Sequence, residues 1–213
     1  MQSVFVFGAG GHSKVAIDAI RRSGVKIQGV IDDDPGLWGS TILGFKVTGG
    51  RSAIESVARS ESAVVVAIAR NEVRKRVVNR FANNGLAMLG VRHPCTITSD
   101  YAEIASTAQI MAGVVINAGA RIAEHVVLNS GCIIEHDVQI DAFAHIGPGA
   151  TLAGGVCVGE GAFVCTNACA KPMMHIGAWS TIGAGGAVVT NVPDKATVVG
   201  IPARLLRQNR YQD

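Results

Sequence analysis

The chain has 213 residues, 19 Lys+Arg against 16 Asp+Glu, 48% apolar and 16% charged residues, which suits one or two compact domains with a sizeable core. The apolar fraction argues against disorder, the 26 glycines follow no three-residue period and so exclude collagen, and no run of about 18 uncharged apolar residues is present to span a membrane. Five cysteines (Cys95, Cys132, Cys157, Cys165, Cys169) without a Cys-x-x-Cys pair favour reduced thiols in a cytoplasm over a disulfide frame or structural zinc, and the opening Met1–Phe5 has no basic segment, so no signal peptide is expected.

In chain order, Ser3–Phe7 reads as a short strand that runs into Gly8-Ala9-Gly10-Gly11-His12-Ser13-Lys14. A helix is expected from His12 to Arg22 and a second strand over Lys26–Ile31, ending at Asp32-Asp33-Asp34. Further on come a strand at Ala63–Ala69, a helix from Glu72 to Asn83 and a strand at Leu86–Val91. Strand, helix and strand in that order make residues 1–92 a small α/β domain with a parallel, Rossmann-like sheet. The glycine run puts backbone N–H groups at a helix N-terminus, where they can hold a phosphate. Gly-Ala-Gly-Gly-His-Ser is an imperfect dinucleotide fingerprint, with Ser13 at the third glycine position. An NAD site with Asp32 on the ribose, a bare structural turn and a nucleotide diphosphate site all remain open on these residues; the shortness of the domain weighs against NAD. The basic run Arg70, Arg74, Lys75, Arg76 and Arg80 reads either as a solvated helix face or as phosphate contacts, and the modest net charge of +3 gives no nucleic-acid signature.

Residues 93–103 read as a linker. From Ile104 the chain shows an unbroken period of six: Ile104, Ile110, Ile116, Ile122, Leu128, Ile134, Ile140, Ile146, and on through Val188, with fourteen of fifteen positions Ile, Leu or Val. Four residues after each stands a small or β-branched residue, such as Ala108, Val114, Ala120 and Val126. Neither an amphipathic helix nor a simple strand produces this spacing. Short strands joined by tight turns do, and three hexapeptides close one coil, so residues 104–193 predict a five-coil triangular parallel β-helix. This stretch carries only 2 Lys/Arg and 5 Asp/Glu. Residues 194–213 are expected to close the prism.

The hexad region, with Val198-Val199-Gly200-Ile201-Pro202-Ala203-Arg204 after it, resembles the left-handed parallel β-helix of the hexapeptide acyltransferases; the left hand comes from the resemblance. With the preceding domain, and on Gly8–Lys14, Asn71–Lys75 and Ile134-Glu135-His136-Asp137, the chain resembles the bacterial nucleotide-sugar acetyltransferases of the bacillosamine and perosamine type. A close branch is described as sialic acid O-acetyltransferase. The resemblance implies a cytoplasmic homotrimer that uses acetyl-CoA as co-substrate, with no bound cofactor or metal, to acetylate the amino group of a UDP-, GDP- or dTDP-linked 4-amino-sugar. O-acetylation of a sugar, or a non-catalytic or metal-dependent prism, are the competing classes. Under the first reading His136 is the base and Asp137 its partner. Gly10, Gly11, His12, Asp32, Asp33, Asn71, Arg74 and Asn129 face the nucleotide sugar. His145, Gly154, Gly155, Lys171, Lys195 and Arg204 face acetyl-CoA. His12 can equally cap its helix, and Asn129 can equally serve a turn. No cysteine stands where an acyl-enzyme nucleophile is needed, so direct attack is expected.

Overall fold

A computed structural model describes residues 3–57 and 62–208. Met1 and Gln2 of the opening, residues 58–61 of the first domain and residues 209–213 of the closing segment lie outside the described residues. The chain divides into two compact units, Met1–Pro94 and Cys95–Asp213.

In the first unit β1 (Ser3–Phe7) is followed by α1 (Gly11–Arg22), β2 (Lys26–Ile31), a hairpin of β3 (Thr41–Ile42) and β4 (Phe45–Lys46), α2 (Arg51–Val57), β5 (Ser62–Val66) and α3 (Asn71–Asn83). The three longer strands form a parallel sheet in the order β2-β1-β5. Val4, Val6, Val64 and Val65 are fully buried in it, which is how a central strand between two neighbours reads as a continuous apolar run. The chain passes one way from β1 to β2 and back past β1 from β2 to β5, so the strand order reverses direction there.

Two elements differ from the sequence expectation. β5 stops at Val66 rather than Ala69: the Ala67 N–H makes a last ladder bond to the Phe7 carbonyl, and the Ile68 N–H then turns back onto the Val66 carbonyl at 3.0 Å. The strand expected over Leu86–Val91 is reduced to one bridge, Met88 on Val64, and a two-residue strand at Val91–Arg92. Gly85, with φ +73, still belongs to the turn that ends α3, and Gly90 interrupts the ladder two residues after the bridge.

The second unit is a parallel β-helix whose two-residue strands pair every 18 residues. One face runs from Ile97–Thr98 through Val115–Ile116, Ile133–Ile134, Thr151–Leu152 and Cys169–Ala170 to Ala187–Val188. That face counts six coils, one more than the hexad series from Ile104 suggests, and residues expected as linker already belong to it. The extra coil hides in the sequence because Thr98 occupies the inward hexad position. Inward residues are packed out: Ile134, Ile146, Leu152, Cys132, Ala150 and Val156 are all 0% exposed. Each fully buried Ile or Leu contributes about 1.5–3 kcal/mol, and repetition along one axis makes the core a column. The end is closed by Ala196–Val199, parallel to Thr181–Ile182, and by the antiparallel strand Arg204–Gln208. Among the described residues no helix is long and apolar enough to cross a membrane.

Candidate active site

A coil must turn a corner every six residues, and at most corners the residue three after the inward aliphatic takes the left-handed conformation that lets it do so. Glycine fills many of these corners; His125, Asp137, Phe143, Asn167, Met173 and Trp179 fill others at φ between 54 and 63°. Asp and Asn tolerate this region better than branched or bulky residues. At Asp137 (φ 61°) the corner has a chemical consequence. Neighbouring side chains on a strand diverge, whereas here the turn swings the Asp137 carboxylate back beside the residue before it. Its Oδ2 lies 2.9 Å from His136 Nδ1. An Nδ1–H donated to this carboxylate leaves Nε2 as the basic nitrogen.

The imidazole lies across the backbone of the next coil. A Cβ placed on Gly154 would fall 2.5 Å from His136 Cε1 and Nε2, so only glycine fits beneath this ring. The Gly155 N–H donates to the His136 carbonyl at 2.9 Å, so this expected thioester donor is spent on the coil ladder. The Gly154 N–H makes no hydrogen bond among the described residues and is the donor left over beside Nε2. On the other side of the glycine pair, the Met173 N–H donates to the Gly154 carbonyl at 3.0 Å, and the Met173 sulfur rests on Gly155. Met173 is 75% exposed and was not singled out in the sequence. Glu135, the other carboxylate flanking His136, accepts from Asn117 Nδ2 at 3.0 Å.

The structure pairs Asn129 with His145: Asn129 Nδ2 donates to His145 Nε2 at 3.1 Å. His145 is 4% exposed, with its ring 4.9 Å from that of Phe163. Lys171, Lys195 and Arg204 are exposed; the Arg204 guanidinium turns back to its neighbour's Ala203 carbonyl. Cys132 is fully buried, and burial pushes its thiol up to about 12; burial also raises Cys165, so neither is activated for attack.

In the first unit the strand C-termini gather the expected nucleotide residues. Gly10 is the N-cap of α1 and Gly11 its first residue, no side chain caps the helix, and space above both is open for at least 4 Å. His12 follows at half-burial. Such a helix end with exposed N–H groups and no acidic first turn suits an anion. Asp32 braces this turn, its Oδ2 accepting from the Ala9 N–H at 2.7 Å and its Oδ1 from the Asp34 N–H at 2.9 Å. Asp33 accepts from the Arg51 N–H at 3.0 Å and pairs with its guanidinium at 3.1 Å. Asn71 opens α3 and is 6% exposed. Arg74 departs from expectation. It is 0% exposed, and its Nη1 donates to the carbonyls of Ile68 and Ala69 at 2.9 and 3.1 Å. Burial lowers its pKa to about 10, against the opposing pull of Glu72. Arg74 therefore faces inward and holds the β5–α3 turn; it presents nothing to a ligand.

Comparison with known proteins places this geometry. Residues 3–81 match the PglD N-terminal domain family. The chain is 28% identical to a GDP-perosamine N-acetyltransferase of Escherichia coli, over 96% of both chains. Among solved structures, a histidine-to-asparagine mutant of perosamine N-acetyltransferase from Caulobacter crescentus, in complex with CoA and GDP-perosamine, superposes with a TM-score of 0.92 at 33% identity, covering 97% of this chain and 98% of that one. The acetyltransferase domain of PglB from Neisseria gonorrhoeae, in complex with acetyl coenzyme A, superposes at 0.90 with 32% identity over 96% and 99%. With both units matched end to end at a third identity, the chain belongs to the left-handed hexapeptide-repeat acetyltransferase family of perosamine N-acetyltransferase and the PglB acetyltransferase domain.

Proposed function

We propose that this enzyme transfers acetyl from acetyl-CoA to the amino group of a nucleotide-linked 4-amino-4,6-dideoxy sugar, by direct attack in a ternary complex. The carrying observation is the His136–Asp137 pair set over the Gly154 backbone. The neutral amine attacks the thioester carbonyl carbon while His136 Nε2 takes its proton. Asp137 holds the Nδ1 proton and stabilises the imidazolium that forms. The Gly154 N–H donates to the oxygen as negative charge develops on it. The C–S bond then breaks, and the imidazolium returns its proton to the departing sulfur as CoA thiol. Gly10, Gly11 and His12 hold the diphosphate, with Asp32 and Asp33 at the same edge for the ribose and base. GDP is the first nucleotide to try, because the perosamine enzyme's complex contains it; UDP and dTDP follow. His145 and Asn129 line the site near the acetyl and sugar groups, and Lys171, Lys195 and Arg204 are the cations available to the CoA phosphates. The charge-poor solenoid supports a homotrimer, and five cysteines without a Cys-x-x-Cys pair support a cytoplasmic setting.

The test is a panel of GDP-, UDP- and dTDP-linked 4-amino sugars with acetyl-CoA, read by thiol release and product mass. One nucleotide amino sugar should gain an acetyl group that resists mild alkali, as an amide does. Thiol release with hydroxyl sugars alone, yielding an alkali-labile ester, would replace the proposal with O-acetylation.

A further inference from the structure

Side chains at several left-handed corners of the solenoid fold back over the corner 18 residues earlier, and that earlier corner is then glycine. Asn167 Oδ1 lies on Gly149, the Met173 sulfur on Gly155 and the Trp179 ring on Gly161. His125 and Phe143 instead follow one another in one column and stack at 5.1 Å. Asp137 obeys the glycine pattern: a Cβ added to Gly119 would fall 2.5 Å from its Oδ1. Gly113, in the same coil as Gly119, marks the contrast. It has φ 72° against 75° at Gly119, but the residue 18 later is Gly131, and its added Cβ would meet nothing closer than 3.7 Å. Glycine at 113 therefore serves the turn alone, whereas at 119 it also serves the space that the carboxylate occupies.

The crowding at Gly119 falls on one atom. Cγ and the backbone nitrogen of Asp137 stand 3.5 Å from the added Cβ, an ordinary contact. The two backbones are tied in place, because the Asp137 N–H donates to the Ala118 carbonyl at 3.1 Å and the Gly119 N–H to the Tyr101 carbonyl at 3.1 Å. A Cβ at 119 must then be met by rotation of the Asp137 side chain about its own bonds. That rotation takes Oδ2 away from His136 Nδ1, which it meets at 2.9 Å. The imidazole cannot follow, since it lies across Gly154 and the His136 carbonyl accepts from the Gly155 N–H.

We infer that Gly119 is a positioning residue for the acetyl transfer: its bare Cα gives the Asp137 carboxylate the room from which it holds the Nδ1 proton of His136. The inference rests on the reading of His136 as the base. It is tested in the full chain with Gly119→Ala and Gly119→Asn, beside Gly113→Ala as a control. Asparagine tolerates the left-handed corner best among residues with a Cβ, so it brings the same crowding with the least backbone strain. Gly113→Ala carries the strain of the alanine substitution without the crowding. Both Gly119 variants should lower kcat about fivefold or more and leave the KM of each substrate within about twofold, because proton removal and not binding is impaired. Gly113→Ala should share the urea midpoint of Gly119→Ala and keep the wild-type kcat. In an Asp137→Ala background, Gly119→Ala should change kcat less than about twofold, since no carboxylate is left to displace. The ring ¹⁵N shifts of neutral His136 should report the Nδ1–H tautomer in the wild type and move toward Nε2–H in both Gly119 variants. Wild-type kcat and tautomer in the Gly119 variants would overturn the inference, as would a loss that Gly113→Ala shares or that persists undiminished without Asp137. In those cases a His136→Ala enzyme that is inactive leaves the base reading standing; one with wild-type kcat would remove that reading and this inference together.

Discussion

For His136 the decisive question is which ring nitrogen carries the proton. The Asp137 carboxylate, 2.9 Å from Nδ1, fixes it there, because a carboxylate only accepts. Both side chains are exposed (66% and 73%), so the pair gives orientation rather than appreciable stability. His136→Ala should lower kcat by roughly 10²–10⁴ with acetyl-CoA binding retained. Asp137→Asn should cost less, because the amide can hold the ring but cannot stabilise its charge. A His136→Ala enzyme within about threefold of wild type would transfer the base role elsewhere, with His145 next in line. Gly154 gives a second residue-scale prediction. Its added Cβ would sit 2.5 Å from the imidazole, so Gly154→Ala should push the ring off its position and lower kcat about tenfold or more while stability changes little, since the ring itself is exposed. Steady-state kinetics beside urea unfolding separate the two effects; an alanine enzyme with wild-type kcat would show that the ring's seat on Gly154 is irrelevant to catalysis.

Among the elements, the turn from β5 to α3 depends on one buried cation. Arg74 stays charged at neutral pH with a pKa near 10, and its guanidinium is spent on the Ile68 and Ala69 carbonyls. Arg74→Ala leaves those carbonyls short of a donor and opens a cavity, so it should cost about 2–4 kcal/mol, read as a lower urea midpoint. A change under about 0.5 kcal/mol would mean that water replaces the side chain freely. This inward role was available in the sequence: Asn71, Arg74, Val78 and Phe81 fall at helical spacing on one face, and treating the arginines as a charge run concealed it. The hexads were the most legible feature, because a column with one inward aliphatic per six residues has no other reading. The first coil was less so, since its inward Thr98 breaks the pattern; its Oγ1 is buried without a hydrogen-bond partner among the described residues. The β3–β4 hairpin also escaped, because its turn places Leu43 (φ 48°) before Gly44 (φ 87°) where Asn or Asp is the usual signal. Of the site, the His-Asp pair was legible from the residue types side by side. The ring's seat on Gly154 was not, because contact between residues 18 apart follows only once the coil length is known.

For the whole molecule, division of labour between the two units is the consequence most open to experiment. The boundary after Pro94 leaves the second unit with its complete core column, whose inward residues are supplied from within it. Cores built from stacked repeats draw their stability from neighbouring coils. A chain beginning at Cys95 should therefore fold, retain the near-zero exposure of Ile134, Ile146 and Leu152, and bind acetyl-CoA within about threefold of the full chain. It should lose nucleotide-sugar binding, because the open N-terminus of α1 and the aspartates after β2 all belong to the first unit. The oligomer adds a second readout. If solenoid packs against solenoid, the truncated chain should sediment as a trimer like the full chain at micromolar concentration, and acetyl-CoA affinity should fall as dilution drives dissociation. A truncated chain that is trimeric and acetyl-CoA-competent, yet still binds the sugar nucleotide with full affinity, would move the substrate site onto the solenoid and leave α1 with a structural glycine turn. A monomeric full chain with normal turnover would instead confine the whole acetyl-CoA site to a single prism.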